Sequence, residues 1–276
     1  MLSKLIKYEW RSFWKIPAFV NLFLFIFTLF GIFVLRAQIW EIDNPFIQAM
    51  GMFVLMSYYI SIIVISFVTT IYTAVRFYKN MYTDEGYLMH TLPVKQKALI
   101  FSKLVVSYVW TIITALVIIF SVVCLIFAAA TASGADMMSF FDSVGDILIT
   151  LLEIMTSPEF KETLGISFVP FVVILVLDCI LGPLSSILTI YAAISLGQLF
   201  QKHKVFGSII SYIGIYTVLQ IVNYIVQAPL MFSTALNASF TSFGPLMYFS
   251  LGETILFSVG FFFLTEWIMK KKLNLD

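Results

Sequence analysis

Charge is the scarcest ingredient of this chain: Asp, Glu, Lys and Arg make up 11% of its 276 residues, against about 25% in soluble domains. Histidine and cysteine are rarer still, at two each. His90 and His203 both fall in polar stretches between apolar runs, which excludes a histidine dyad or a histidine metal site inside those runs. Cys124 and Cys179 lie within apolar runs and read as small hydrophobes, implying neither a disulfide nor a thiolate-held metal. No G-x-x-x-x-G-K-[ST] loop occurs, so the chain does not bind ATP in the P-loop manner. No small-residue cleavage site follows the first apolar run, so a cleavable leader is not expected. Paired carboxylates within the apolar runs are missing too, which argues against an intramembrane protease.

What the sequence has is apolar length. Hydrophobic residues reach 61% and mean hydropathy is +1.01, the composition of a polytopic membrane protein. Crossing a hydrocarbon core of about 30 Å takes roughly 20 apolar residues in a helix. Six segments qualify, at about 16–35, 45–75, 104–130, 166–197, 205–227 and 246–269. The expectation is an all-α, six-span fold forming a single transmembrane domain over 1–276. The second and fourth segments exceed the crossing length and should tilt, kink or project beyond the bilayer. A kink is expected at Gly182-Pro183, where proline removes a backbone donor.

The 16 Lys and Arg are placed unevenly, with 14 before span one, between spans two and three, between four and five, and after span six. Arg36 and Lys161 alone fall on the other side, which instead carries eight acids from Glu41 to Glu162. By the positive-inside rule both termini are expected in the cytoplasm.

Two segments are amphipathic. Over residues 1–15, Lys4, Lys7, Arg11 and Lys15 share one arc, and Leu2, Leu5, Ile6 and Phe13 the opposite one, as in a helix lying in the inner interface. Glu9 interrupts the apolar arc: it either pairs with a basic group of the bundle, touches a cytoplasmic partner, or snorkels at the rim. In the outer loop 131–165, Met137, Phe141, Val144, Leu148, Leu151, Leu152 and Met155 share a face opposite Ser139, Asp142, Asp146 and Glu153. That segment is expected on the outer leaflet or over the outer mouth. Ser157-Pro158-Glu159 reads as a helix cap and first turn.

The most distinctive stretch is the polar island 76–103, RFYKNMYTDEGYLMHTLPVKQKALIFSK, with five basic residues among its twenty-eight. Thr83 can cap a short helix whose first turn holds Asp84 and Glu85, favoured by the positive helix terminus. Tyr87, Leu88 and Leu92 offer a small aromatic and apolar surface, and Pro93 restarts a helix that runs into span three. A short helix fused to two spans is a mechanical lever for a soluble partner.

YTDEGYLMHTLPVKQKALIFSKL is similar to the coupling loop between spans two and three in permease subunits of type-2 ATP-binding-cassette (ABC) exporters of Gram-positive type. LSKLIKYEWRSFWKIP resembles, less specifically, their interfacial connecting helix. The resemblance implies a coupling helix built from Asp84, Glu85, Gly86, Tyr87, Leu88, His90 and Leu92, with Glu9 nearby, docking on a separate ATPase. It implies two ATPase copies holding ATP and Mg, and a second permease subunit, identical or different. It implies a multi-pass location in the bacterial cytoplasmic membrane, with lipid but no nucleic acid as a further contact. This chain would hold no cofactor and catalyse nothing. One departure stands out: the large acidic outer loop lies between spans three and four, whereas the family's outer re-entrant segment lies between five and six. Here 228–245 is the only counterpart, either re-entrant or an ordinary loop.

Polar groups within spans are the default functional candidates. Tyr212, Tyr216, Gln220, Asn223 and Gln227 step by three or four residues and form one stripe on span five. The stripe either lines a translocation path or hydrogen-bonds to neighbouring helices, and the two roles are compatible. Asp178 in span four and Glu253 in span six are the intramembrane acids. Asp178 must be protonated, partnered or hydrated; Glu266, one turn before Lys270, reads as interfacial. The leading expectation is an exporter permease moving a peptide, lipid or hydrophobic drug outward. The alternative is an ion- or proton-coupled transporter using Asp178 and Glu253.

Overall fold

The computed structural model describes residues 2–39, 42–83, 85–86, 94–132, 134, 136–200, 202–237 and 243–271, without the side chains of 230, 231 and 233–237. Among them the secondary structure is helical, without a strand. The order is α1 (Leu2–Phe13), α2 (Lys15–Arg36), α3 (Pro45–Tyr82), α4 (Gln96–Ala132), α5 (Met137–Thr156), α6 (Pro158–Leu164), α7 (Phe168–Gly197), α8 (Lys204–Asn237) and α9 (Phe243–Lys271). Six of these, α2, α3, α4, α7, α8 and α9, are long and apolar enough to cross a membrane, which marks a multi-pass membrane protein. Helix α5 carries Asp142, Asp146 and Glu153 among its 20 residues and is not one of them.

Two helices far exceed the crossing length. At 38 residues α3 is about 57 Å long, so it extends well past a core of about 30 Å. Its start is set by local chemistry: the Asn44 carboxamide oxygen accepts from the Phe46 amide at 3.0 Å, and Pro45 occupies the first helical position. The Ser157 cap is present as well, its hydroxyl accepting from the Phe160 amide at 3.3 Å. Helix α6 then ends at Gly165, whose φ of 69° is left-handed. Pro183 lies inside α7, which remains one helix from Phe168 to Gly197. Pro229 likewise lies inside α8, so 228–237 continue the helix and leave no loop before residue 238.

The chain divides into two compact units. One comprises Ser3–Thr73 and Val105–Ile149. In it the apolar face of α1 is covered. Phe13 is buried with Val106 and Trp110, Trp10 stacks on Trp110 at 5.3 Å, and the Tyr72 hydroxyl donates to the Phe13 carbonyl. Lys4, Lys7, Arg11 and Lys15 are exposed on the opposite face, the segregation expected of the amphipathic pattern. A second cluster joins Leu24, Tyr58, Ile65 and Leu125, with Tyr58 and Ser121 hydroxyls 2.8 Å apart.

The other unit consists chiefly of Ala74–Leu104 and Thr150–Asp276. Helix α7 is its centre: it packs against both α8 and α9, and its stretch from Ile187 to Ser195 is buried throughout.

Candidate functional site

The polar island begins in the last turns of α3, and its first root is aromatic. Phe77 is fully buried and its ring lies flat on Tyr191 of α7, centroids 3.7 Å apart. One turn on, the Tyr82 hydroxyl meets Ser195 Oγ at 2.6 Å. Ser195 donates its own proton to the Tyr191 carbonyl at 2.8 Å, so Tyr82 is the donor in that pair. These contacts tie the end of α3 to the end of α7.

Thr83 lies between α3 and the helical residues Glu85 and Gly86. Its hydroxyl donates backward to the Lys79 carbonyl at 2.6 Å, while the Thr83 carbonyl accepts the Gly86 amide at 2.7 Å. The turn folds onto α3 so closely that a Cβ on Gly86 would stand 2.6 Å from the Met81 carbonyl carbon and oxygen. Glycine is required there by proximity, and Glu85 beside it is exposed. Asp84, Tyr87, Leu88, His90 and Leu92 lie outside the described residues.

The island's exit is tied to a different helix. Gln96 donates its amide to the Met269 carbonyl at 3.4 Å. Lys97 forms an ion pair with Glu266 at 3.4 Å and lies over the Phe263 ring at 5.1 Å. Glu266 also pairs with Lys270 one turn along α9. The sequence marks Glu266 as interfacial; its side chain is in fact 6% exposed, covered by the start of α4. Nothing local predicts this, because Lys97 is 169 positions away. The i,i+4 spacing to Lys270 was the only legible part.

Glu9 is buried at 6% exposure on the apolar face of α1 and is engaged within the chain.

The span-five stripe on α8 divides in two. Asn223 donates to Glu253 of α9 at 2.8 Å, and Gln227 donates to the Asn223 carboxamide oxygen at 2.8 Å. This half is an interhelical carboxylate–amide chain. Tyr212 and Tyr216 are exposed, Gln220 is half-buried, and among the described residues none of the three hydrogen-bonds through its side chain. Asp178 is half-buried on α7 and has no hydrogen-bond or ion-pair partner among the described residues, so it is not joined to the Glu253 chain. No cluster of His, Cys, Asp and Glu suited to a metal occurs among the described residues.

No family model matches this chain, and neither curated proteins nor solved structures yield a match to it.

Proposed function

We propose that the chain is the membrane-spanning permease subunit of an ABC exporter, moving a peptide, lipid or hydrophobic drug outward with ATP hydrolysed by a partner ATPase. The observation that carries this reading is the double rooting of the polar island. Its entry is held to α7 through Phe77–Tyr191 and Tyr82–Ser195, and its exit to α9 through Gln96–Met269 and Lys97–Glu266. A segment fixed at both ends to separate spans converts a push on its tip into relative motion of those spans. That motion biases a two-state equilibrium only if the partner binds the two states unequally. Both termini and the island face the cytoplasm in this reading, and the open half of the α8 stripe, Tyr212 to Gln220, lines the path. The proton-coupled alternative has weaker support, because Asp178 stands apart from the Glu253 chain.

The test is purification of the chain with its co-expressed neighbours in mild detergent. A P-loop subunit should accompany it, and alanine at Glu85 and Tyr87 should abolish transport-coupled ATPase activity without impairing membrane insertion. Isolation of the chain alone, or ATPase activity unchanged by the two substitutions, overturns the proposal.

A further inference from the structure

The link between α7 and α8 builds a basic cavity that the proposed transport cycle leaves unused. The hairpin is tight: a Cβ on Gly197 would collide with the backbone of Ser208, whose hydroxyl donates to the Lys204 carbonyl at 2.9 Å. This close approach holds Lys202, His203 and Lys204 in one turn. Together with Tyr78 of α3 they line a cavity of about 580 Å³, whose wall continues along α8 through Val205, Phe206 and Ile209. The volume falls in the range of about 300–1,000 Å³ typical of small-ligand sites.

Three features of the cavity converge on one ligand chemistry. Lys202 and Lys204 supply two positive charges, and among the described residues no carboxylate pairs with either. The cavity also sits at the N-terminus of a 34-residue helix, whose first-turn amides lack intrahelical acceptors and favour an anion. Finally, the wall is amphipathic: Val205, Phe206 and Ile209 are all more than half exposed, at the start of a helix apolar enough to span a membrane. A soluble anion would use the first two features and leave the third bare.

The geometry points to a binding site for an anionic phospholipid, with its phosphodiester between Lys202, Lys204 and the first turn of α8 and an acyl chain along Val205 and Ile209. Tyr78 closes the headgroup side and can donate its hydroxyl to a phosphate oxygen. Basic pockets at the end of a span are suited to such headgroups. The site is independent of any ATPase partner.

The test uses the full chain in detergent, titrated with phosphatidylglycerol, phosphatidylcholine or inorganic phosphate, with bound ligand read by native mass spectrometry. Phosphatidylglycerol should be retained in preference to phosphatidylcholine. The K202Q/K204Q variant should lose that retention by about ten-fold or more, as two lost charges at a membrane surface imply. The K4Q/K7Q variant, with equal charge loss on α1, should retain it. Equal loss in both variants, or no loss in the first, overturns the site. Displacement of the lipid by an equal concentration of inorganic phosphate overturns the lipid assignment in favour of a soluble phosphate.

Discussion

At the scale of single residues, the contacts that root the island make unequal demands on their two partners. Tyr82 and Ser195 are both buried, yet Ser195 keeps its bond to the Tyr191 carbonyl when Tyr82 is altered. Tyr82→Phe should therefore cost only about 1 kcal/mol, the usual net value of one hydrogen bond. Ser195→Ala strands a buried phenolic hydroxyl and should cost more, about 1–3 kcal/mol. Thermal unfolding in detergent should rank the two variants in that order, and the reverse order would contradict the assignment of Tyr82 as donor. The ion pair shows a similar asymmetry. Glu266 is buried between two lysines whose side chains are each 52% exposed. Losing Lys97 leaves Lys270 in place and returns little charge to water, whereas Glu266→Gln removes both pairs. The expected losses are a few tenths of a kcal/mol for Lys97→Gln and about 1–2 kcal/mol for Glu266→Gln, read from the same melting curves.

At the scale of elements, what was legible in the sequence is what depends on near neighbours or on length. Six spans follow from apolar runs of about twenty residues or more, the α1 face from a 3.6-residue period, and the α6 cap from Ser157-Pro158 alone. What was hidden depends on distant partners. Lys97 and Glu266, or Tyr82 and Ser195, become pairs only once α7 and α9 are packed. One boundary differs: the apolar run of span five ends near 227, yet the helix continues through Pro229 to Asn237. Thr83 shows a use that spacing alone did not point to: its hydroxyl donates backward to the Lys79 carbonyl. The turn it occupies offers a clean test of the island as a lever. Gly86→Ala alters none of the side chains that a soluble partner would touch, yet its Cβ has no room beside Met81. The variant should insert and melt within about 1–3 kcal/mol of the parent, as local overpacking implies, while transport-coupled ATPase activity falls at least ten-fold. Unchanged coupling would mean that the angle of the turn does not matter. The α8–α9 chain is a further element-scale case. Asn223→Ala breaks both the Glu253 and the Gln227 bonds and should cost about 0.6–2 kcal/mol in melting experiments.

At the scale of the whole molecule, charge and exposure make separate claims about the membrane, and labelling experiments can set one against the other. The exposed surface is strongly apolar on every membrane-length helix, with Phe19, Phe53, Phe120, Val169, Ile225 and Leu256 each at least half exposed, as lipid-facing side chains should be. Such a surface demands a bilayer but gives no direction through it. Direction comes from the 14 of 16 Lys and Arg that alternate spans bring to one side. Each odd or even connection must obey the same assignment, so one loop on the wrong side would change the span count as well as the orientation. The native cysteines, Cys124 half-buried and Cys179 exposed, can be replaced by serine to give a silent background. In that background, cysteine at Glu85 or Lys202 should react with a membrane-impermeant maleimide only after the cells are opened. Cysteine at Asp142 or Glu159 should react in intact cells. If Asp142 is shielded in intact cells while Glu85 is labelled, the orientation is inverted, and the island cannot meet a cytoplasmic ATPase. If both are labelled in intact cells, α4 does not carry the chain from one side to the other, and the six-span reading itself is lost. The expected pattern leaves the doubly rooted island, the basic α7–α8 turn and the lysines closing α9 on a single face. On that face the proposed partner and the proposed lipid site would act on the same helix ends.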